Sequence, residues 1–172
     1  MVILVDQQDK QTGIMEKMEA HQKGVLHRAF SVFIFDNKGR MLLQQRAATK
    51  YHGGLLWTNA CCSHPYPGEE TIDAVNRRLE EELGFSTPLQ EIFSFTYHAE
   101  VENGLIEHEY DHVFAGTYES GIFPNEMEVA SWRYETLDAI KKELEEDPHQ
   151  FTTWFRIAFP SIEKWWKQEF GS

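Results

Sequence analysis

Residues 56–85 read LWTNACCSHPYPGEETIDAVNRRLEEELGF, and this stretch decides the fold. It opens as an apolar, strand-like segment and turns at Pro65, Pro67 and Gly68. A helix follows. Ile72, Val75, Leu79 and Leu83 recur at steps of three and four, so they share one face. Gly84 stands just past the last apolar position, where glycine commonly ends a helix. Arg77, Arg78, Glu80, Glu81 and Glu82 lie outside the apolar stripe. At about 100° per residue, Glu82 borders that stripe and Glu81 points nearly the opposite way. Glu82 is therefore the carboxylate aimed at whatever packs beside the helix.

Upstream, Ala29–Phe35 is β-rich, and the Asp36-Asn37-Lys38-Gly39 turn signal leads into RMLLQQR. This pair predicts a β-hairpin. Before it, Val2–Val5 is a short apolar run, DQQDKQTG is turn-like, and Ile14–Gln22 is polar, helical or irregular. Thr49–Gly54 is a loop carrying Lys50. Downstream, Phe93–Tyr97, Leu105–Tyr110, His112–Tyr118 and Val129–Tyr134 read as strands. Leu137–Glu146 is a charged helix and Thr153–Phe170 an aromatic-rich one. Strands mixed with three helices give an α/β fold.

A chain of 172 residues suits a single domain, 1–172, with a full-sized core. The net charge of -12 keeps it soluble and argues against nucleic-acid binding, which needs a basic face. An anionic substrate then needs its own local cations. No basic-then-apolar leader and no membrane-length apolar run is visible, so a cytoplasmic protein without a membrane partner is expected. The two cysteines, Cys61 and Cys62, are adjacent, too close for an unstrained disulfide, so free thiols are expected.

The glycine-rich turn and the helix ending before Gly84 resemble the signature of the Nudix superfamily, in which helix glutamates hold magnesium against a diphosphate. Glu69, Arg77, Leu79, Glu81 and Glu82 fall on matching positions. Two positions depart: Ser63 replaces the opening glycine, and Arg78 replaces the first helix glutamate of the hydrolases. Arg78 removes a metal ligand and adds a positive charge, which argues for holding a diphosphate without cutting it. WTNACCSHP, with VLHRAFSVFIF before it and IEHEYDHVF after it, is similar to the type I isopentenyl-diphosphate isomerase branch. That resemblance runs from about Val2 to the end of the chain. It implies a Nudix α/β/α sandwich around a mixed sheet, a catalytic core at about 26–160, and a reversible, metal-dependent isomerisation of isopentenyl diphosphate. The rival expectation is a Nudix diphosphohydrolase of a nucleotide.

Glu107 and Glu109 are two apart on a predicted strand and face one way. Cys62 and His64 have the same spacing, and His21 and His27 precede the predicted hairpin. Three imidazoles and two carboxylates suit Mn²⁺, Mg²⁺ or Zn²⁺. A lone His or an alternating Glu pair is more often a surface residue, so the pattern alone does not choose. The resemblance chooses the metal site, and it leaves His52, His98, His108, His112 and His149 without a match. It also implies a catalytic Cys62, a proton-relay Tyr97 beside Glu109, and a pocket-wall Trp154. Lys17, Arg46, Lys50 and Arg78 match its diphosphate-binding cations, with a Mg²⁺ between the diphosphate and Glu82. The expected partner is the small isoprenyl diphosphate, met by a monomer.

Overall fold

The computed structural model describes residues 1–171. At the N-terminus β1 (Val2–Val5) pairs antiparallel with β2 (Gln11–Met15), and α1 (Lys17–Lys23) follows. The turn-like stretch is thus confined to its first half. Gln11–Met15 becomes a strand because Val2 and Ile3 offer backbone partners at Met15 and Ile14. Helix α1 is capped at its start by the Glu16 carboxylate, which accepts from Glu19 N–H, and ends at Gly24 in the left-handed conformation.

Next come β3 (His27–Phe35), β4 (Met41–Arg46), β5 (Trp57–Thr58) and β6 (Cys61–Ser63). The predicted hairpin forms but is short: β3 and β4 pair antiparallel across the Asp36–Arg40 turn, and only at Phe35 and Met41. From there β3 is claimed on its two sides by β6 and by β8 (Ile106–Thr117), while β4 pairs with β5 and β9 (Val129–Glu135). Strand β3 is buried along nearly its whole length. Beyond that first pair, non-local pairing on both of its edges displaces the local partner that the turn suggests.

Between β6 and β8 lie α2 (Thr71–Leu83) and β7 (Leu89–Glu100), which pairs with β8 over twelve-residue strands. The two strands predicted at 105–110 and 112–118 are one strand. Glu107, Glu109 and Asp111 interrupt its apolar character but stay within one ladder. Helices α3 (Leu137–Glu146) and α4 (Thr153–Glu169) close the chain. The β3–β8 pair is parallel and the other pairs antiparallel, so the nine-stranded sheet is mixed.

The pleat of β3 sorts its side chains onto two cores. Phe30, Val32 and Ile34 pack with Cys61, Val75, Leu79 and Leu83 under α2. Phe33 and Phe35 pack with Ile140, Phe155 and Phe159 under α3 and α4. Helices on both faces of a mixed sheet make the α/β class. Among the described residues no helix is long and apolar enough to cross a membrane.

The C-terminus of α2 is fixed by chemistry that the site depends on. Gly84 has φ +73°, and its N–H donates to the Glu80 carbonyl. The following loop closes the end, with Phe123 N–H donating to Leu83 O and Asn125 N–H to Glu82 O. A Cβ on Gly84 would meet Phe123 O at 2.7 Å. Gly84→Ala is therefore expected to destabilise the protein by roughly 1–3 kcal/mol, from left-handed strain plus the displaced loop. Urea unfolding measures it; a midpoint equal to that of the unsubstituted chain would mean the loop yields freely.

Candidate active site and metal centre

Strand β3 lies between the two strands that carry the central side chains. On one side His27 sits beside Glu109 of β8; on the other Ser31 sits beside Cys62 of β6. Paired residues face one way, so Cys62, Ser31, His27 and Glu109 share a face. Cys61, one residue back, turns to the opposite face and is buried in the α2 core. Cys62, Tyr97, Glu107, Glu109, Arg46 and Trp154 line a single pocket.

The histidines are held in defined tautomers. Nδ1 of His21 lies 2.7 Å from the Lys17 carbonyl, and Nδ1 of His27 lies 2.8 Å from the Val25 carbonyl. A carbonyl only accepts, so each Nδ1 carries the proton and each Nε2 presents a lone pair. Among the described residues both Nε2 atoms are buried without a hydrogen-bond partner. His64 Nε2 lies 3.0 Å from Glu109 Oε2, and His27 Nε2 lies 3.4 Å from the same oxygen. Burial pulls the His64 pKa down to about 4 and lowers that of His21, so both imidazoles are neutral at pH 7. Burial also pulls on His27, but its contact with Glu109 outweighs that and leaves it raised. Burial pushes the Glu109 carboxyl up, yet the nearby His27 and His64 rings hold it well below the usual range. His21, His27, His64 and Glu109 bring their donor atoms within 4.8 Å of one another. Bare, inward-facing nitrogens beside a carboxylate fit a divalent cation, and this group could hold one.

Tyr97 is buried and pairs with Glu109 across β7 and β8. Its hydroxyl lies 2.6 Å from Glu109 Oε1 and 2.7 Å from Glu107 Oε2. A phenol has one proton, so it donates to one carboxylate at a time and links the two.

Around Cys62 the orientation of the polar groups follows from donor counts. The Asn59 amide nitrogen donates to the Val32 and Cys61 carbonyls, which turns Oδ1 toward Thr58 Oγ1 and Cys62 Sγ, the latter at 3.2 Å. Ser31 Oγ donates to Asp111 Oδ2 at 2.7 Å and lies 3.4 Å from Sγ. The thiol thus faces two acceptors. Burial, with the Asp111 charge adding, pushes it up, so it keeps its proton at neutral pH.

The expected diphosphate cations divide. Lys17, Lys50 and Arg78 come together: burial lowers the Lys17 ammonium, and Lys50 and Arg78 lower it further. Arg78 bonds Glu82 Oε1 at 2.9 Å and Glu81 at 2.7 Å, and Glu128 contacts both Lys50 and Arg78. Glu82 belongs to this corner and is not among the donors gathered around His21. Arg46 stands apart, with its guanidinium 5.0 Å from the Trp154 ring centre and donating to the His52 carbonyl. One of the two π faces of that indole is therefore engaged by Arg46.

Several neighbours escaped the sequence reading. His52 is buried, not on the surface, with Nε2 2.9 Å from Glu107 Oε1. Asp111, Ser31 and Asn59 surround the thiol. Asp111 had a signal, since it continues the alternation of Glu107 and Glu109. His52, alone in a loop, had none.

The family model described as NUDIX domain matches residues 25–155. Solved structures agree in fold. DR0079 from Deinococcus radiodurans superposes with a TM-score of 0.72 at 16% identity, over 85% of this chain and 89% of that one. A MutT protein from Methanosarcina mazei Go1 gives 0.66 at 18%, over 81% and 94%. Fold and site together define a Nudix-domain protein. Among curated proteins, the isopentenyl-diphosphate Delta-isomerase of Pectobacterium atrosepticum is 50% identical, spanning 96% of this chain and 93% of the relative. That of Burkholderia multivorans is 47% identical, over 95% and 96%. The chain belongs to the isopentenyl-diphosphate Delta-isomerase family.

Proposed function

We infer that the protein interconverts isopentenyl diphosphate and dimethylallyl diphosphate by adding a proton at one end of the alkene and removing one from the neighbouring methylene. The observation that carries this reading is that Cys62 and Glu109, on the two strands flanking β3, line one pocket with Tyr97, the partner of Glu109 on β7. Moving a double bond needs two proton-handling groups around one alkene. Cys62 is one and Glu109, relayed by Tyr97, is the other. Trp154 closes the wall and keeps water from the tertiary cation. A divalent cation (Mn²⁺, Mg²⁺ or Zn²⁺) held by His21, His27, His64, Glu107 and Glu109 supplies Lewis-acid polarisation to these groups when bound. Lys17, Lys50 and Arg78 take the diphosphate oxygens at one corner, Arg46 reaches them from beside Trp154, and Glu82 would hold the Mg²⁺ that accompanies them.

Arg78 separates this reading from nucleotide hydrolysis, because a guanidinium stands where a hydrolase needs a carboxylate. The test is incubation with isopentenyl diphosphate, and separately with nucleoside diphosphates, in Mg²⁺ and Mn²⁺. Proton NMR should show dimethylallyl diphosphate with no phosphate release. Phosphate or monophosphate formation without isomerisation would overturn the reading.

Arg78→Met keeps an unbranched stem and removes the guanidinium and its charge. A lost charge-assisted hydrogen bond costs about 1.5–3 kcal/mol, so KM should rise roughly tenfold or more with kcat little changed. An unchanged KM would mean that Arg78 serves only to neutralise Glu81, Glu82 and Glu128.

A further inference from the structure

We propose that His52 is a further donor to the metal centre, entering from the Glu107 side; the proposal rests on the metal-centre reading above. Its Nε2 is buried and, among the described residues, has no hydrogen-bond partner. Glu107 Oε1 is only 2.9 Å away, yet the pair does not form an aligned hydrogen bond. An imidazole N–H that close to a carboxylate would be expected to aim at it. His52 Nε2 instead shares its orphaned state with His21 Nε2 and His27 Nε2. A buried nitrogen left unpaired costs about 1–3 kcal/mol, and a shared cation removes that cost for all three.

The spacing agrees. Two ligands bound at right angles with bonds of about 2.1 Å lie about 3.0 Å apart. His52 Nε2 and Glu107 Oε1 are at 2.9 Å, and His64 Nε2 and Glu109 Oε2 are at 3.0 Å. The donor atoms of His21, His52 and Glu107 lie within 4.8 Å of one another, and so do those of His21, His27, His64 and Glu109. His21 belongs to both sets. The two sets do not merge into one at that distance, but they share His21, whose single lone pair serves one cation, so His52 and Glu107 meet that cation at His21.

The ring is not free to swing. It packs edge-on against Tyr51 at 4.3 Å and Trp154 at 5.7 Å between centroids. Its carbonyl accepts from Arg46, and the next residue, Gly53, donates its N–H to Glu102. The loop that carries Lys50 toward the diphosphate corner thereby presents His52 to the cation.

The experiment uses metal-free full-length protein titrated with Zn²⁺ against a chromophoric chelator. X-ray absorption on the zinc-loaded protein counts the imidazoles. His52→Ala should weaken Zn²⁺ binding at least tenfold and remove one imidazole from the count. His52→Gln offers Glu107 a hydrogen-bond donor but is a poor zinc ligand, so it should bind as weakly as His52→Ala. Restoration of the original affinity by Gln would overturn the proposal, because His52 would then act only on Glu107. Unchanged affinity in both variants would overturn it too. His27→Ala is the control. If it weakens binding while His52→Ala does not, only this proposal fails; if neither does, the metal-centre reading fails. Should His52→Ala not fold, the Gln variant alone decides by the same two readouts.

Discussion

Cys62→Ala should lower isomerisation by roughly 10²–10⁴-fold, the range that a positioned acid or base contributes, and leave the fold and metal content intact. The pairing of Cys62 with Ser31 is between backbones, so β6 stays in place without the sulfur. No cage donor is lost, because Sγ is outside the group formed by His21, His27, His64 and Glu109. Cys61→Ala is the matched comparison. Cys61 packs beside Leu79 and Leu83 on the opposite face, so its loss costs about 1 kcal/mol of stability and little rate. Initial rates and thermal midpoints for the two variants decide. If Cys61→Ala is the inactive one, the pleat has been misread and the assignment of the thiol falls with it.

That contrast was legible in the sequence, because alternation along an extended segment is a local property. The same holds for Glu107 and Glu109, and for Val75, Leu79 and Leu83, all buried as the helical period requires. Ile72 shares the period but is exposed, because the first turn of α2 lies at the margin of the core. The hairpin came out shorter than its sequence suggests for a different reason: a turn signal reports on four residues, while strand partners are set by sheet-wide burial, which gave most of β3 to β6 and β8. His52 was illegible for a related reason. Nothing within its loop marks it, and its meaning comes from Glu107, fifty-five positions away in the chain yet 2.9 Å away in space. The resemblance covered the motifs and gave no role to a histidine outside them.

Glu109→Gln should be as damaging as the loss of Cys62, and for two separable reasons. Glu109 Oε2 faces His27 and His64, while Oε1 takes the Tyr97 hydroxyl at 2.6 Å. The amide is nearly isosteric, so the strand and the core are expected to hold. Its NH₂ group must point at one of these two sides. Toward the histidines it puts donors where a cation needs a lone pair; toward Tyr97 it breaks the phenol link. Metal affinity should fall at least tenfold, as it does when supporting groups of a metal site are lost. The neutral amide also has no proton to give and no basic oxygen to receive one, so kcat should fall roughly 10²–10⁴-fold. Saturating Mn²⁺ separates the two effects. It should restore occupancy, seen by metal analysis, and leave kcat low. Recovery of the full rate on saturation would show that Glu109 is only a ligand, and the second proton-handling group would then have to be sought at Glu107, the other carboxylate bonded to Tyr97.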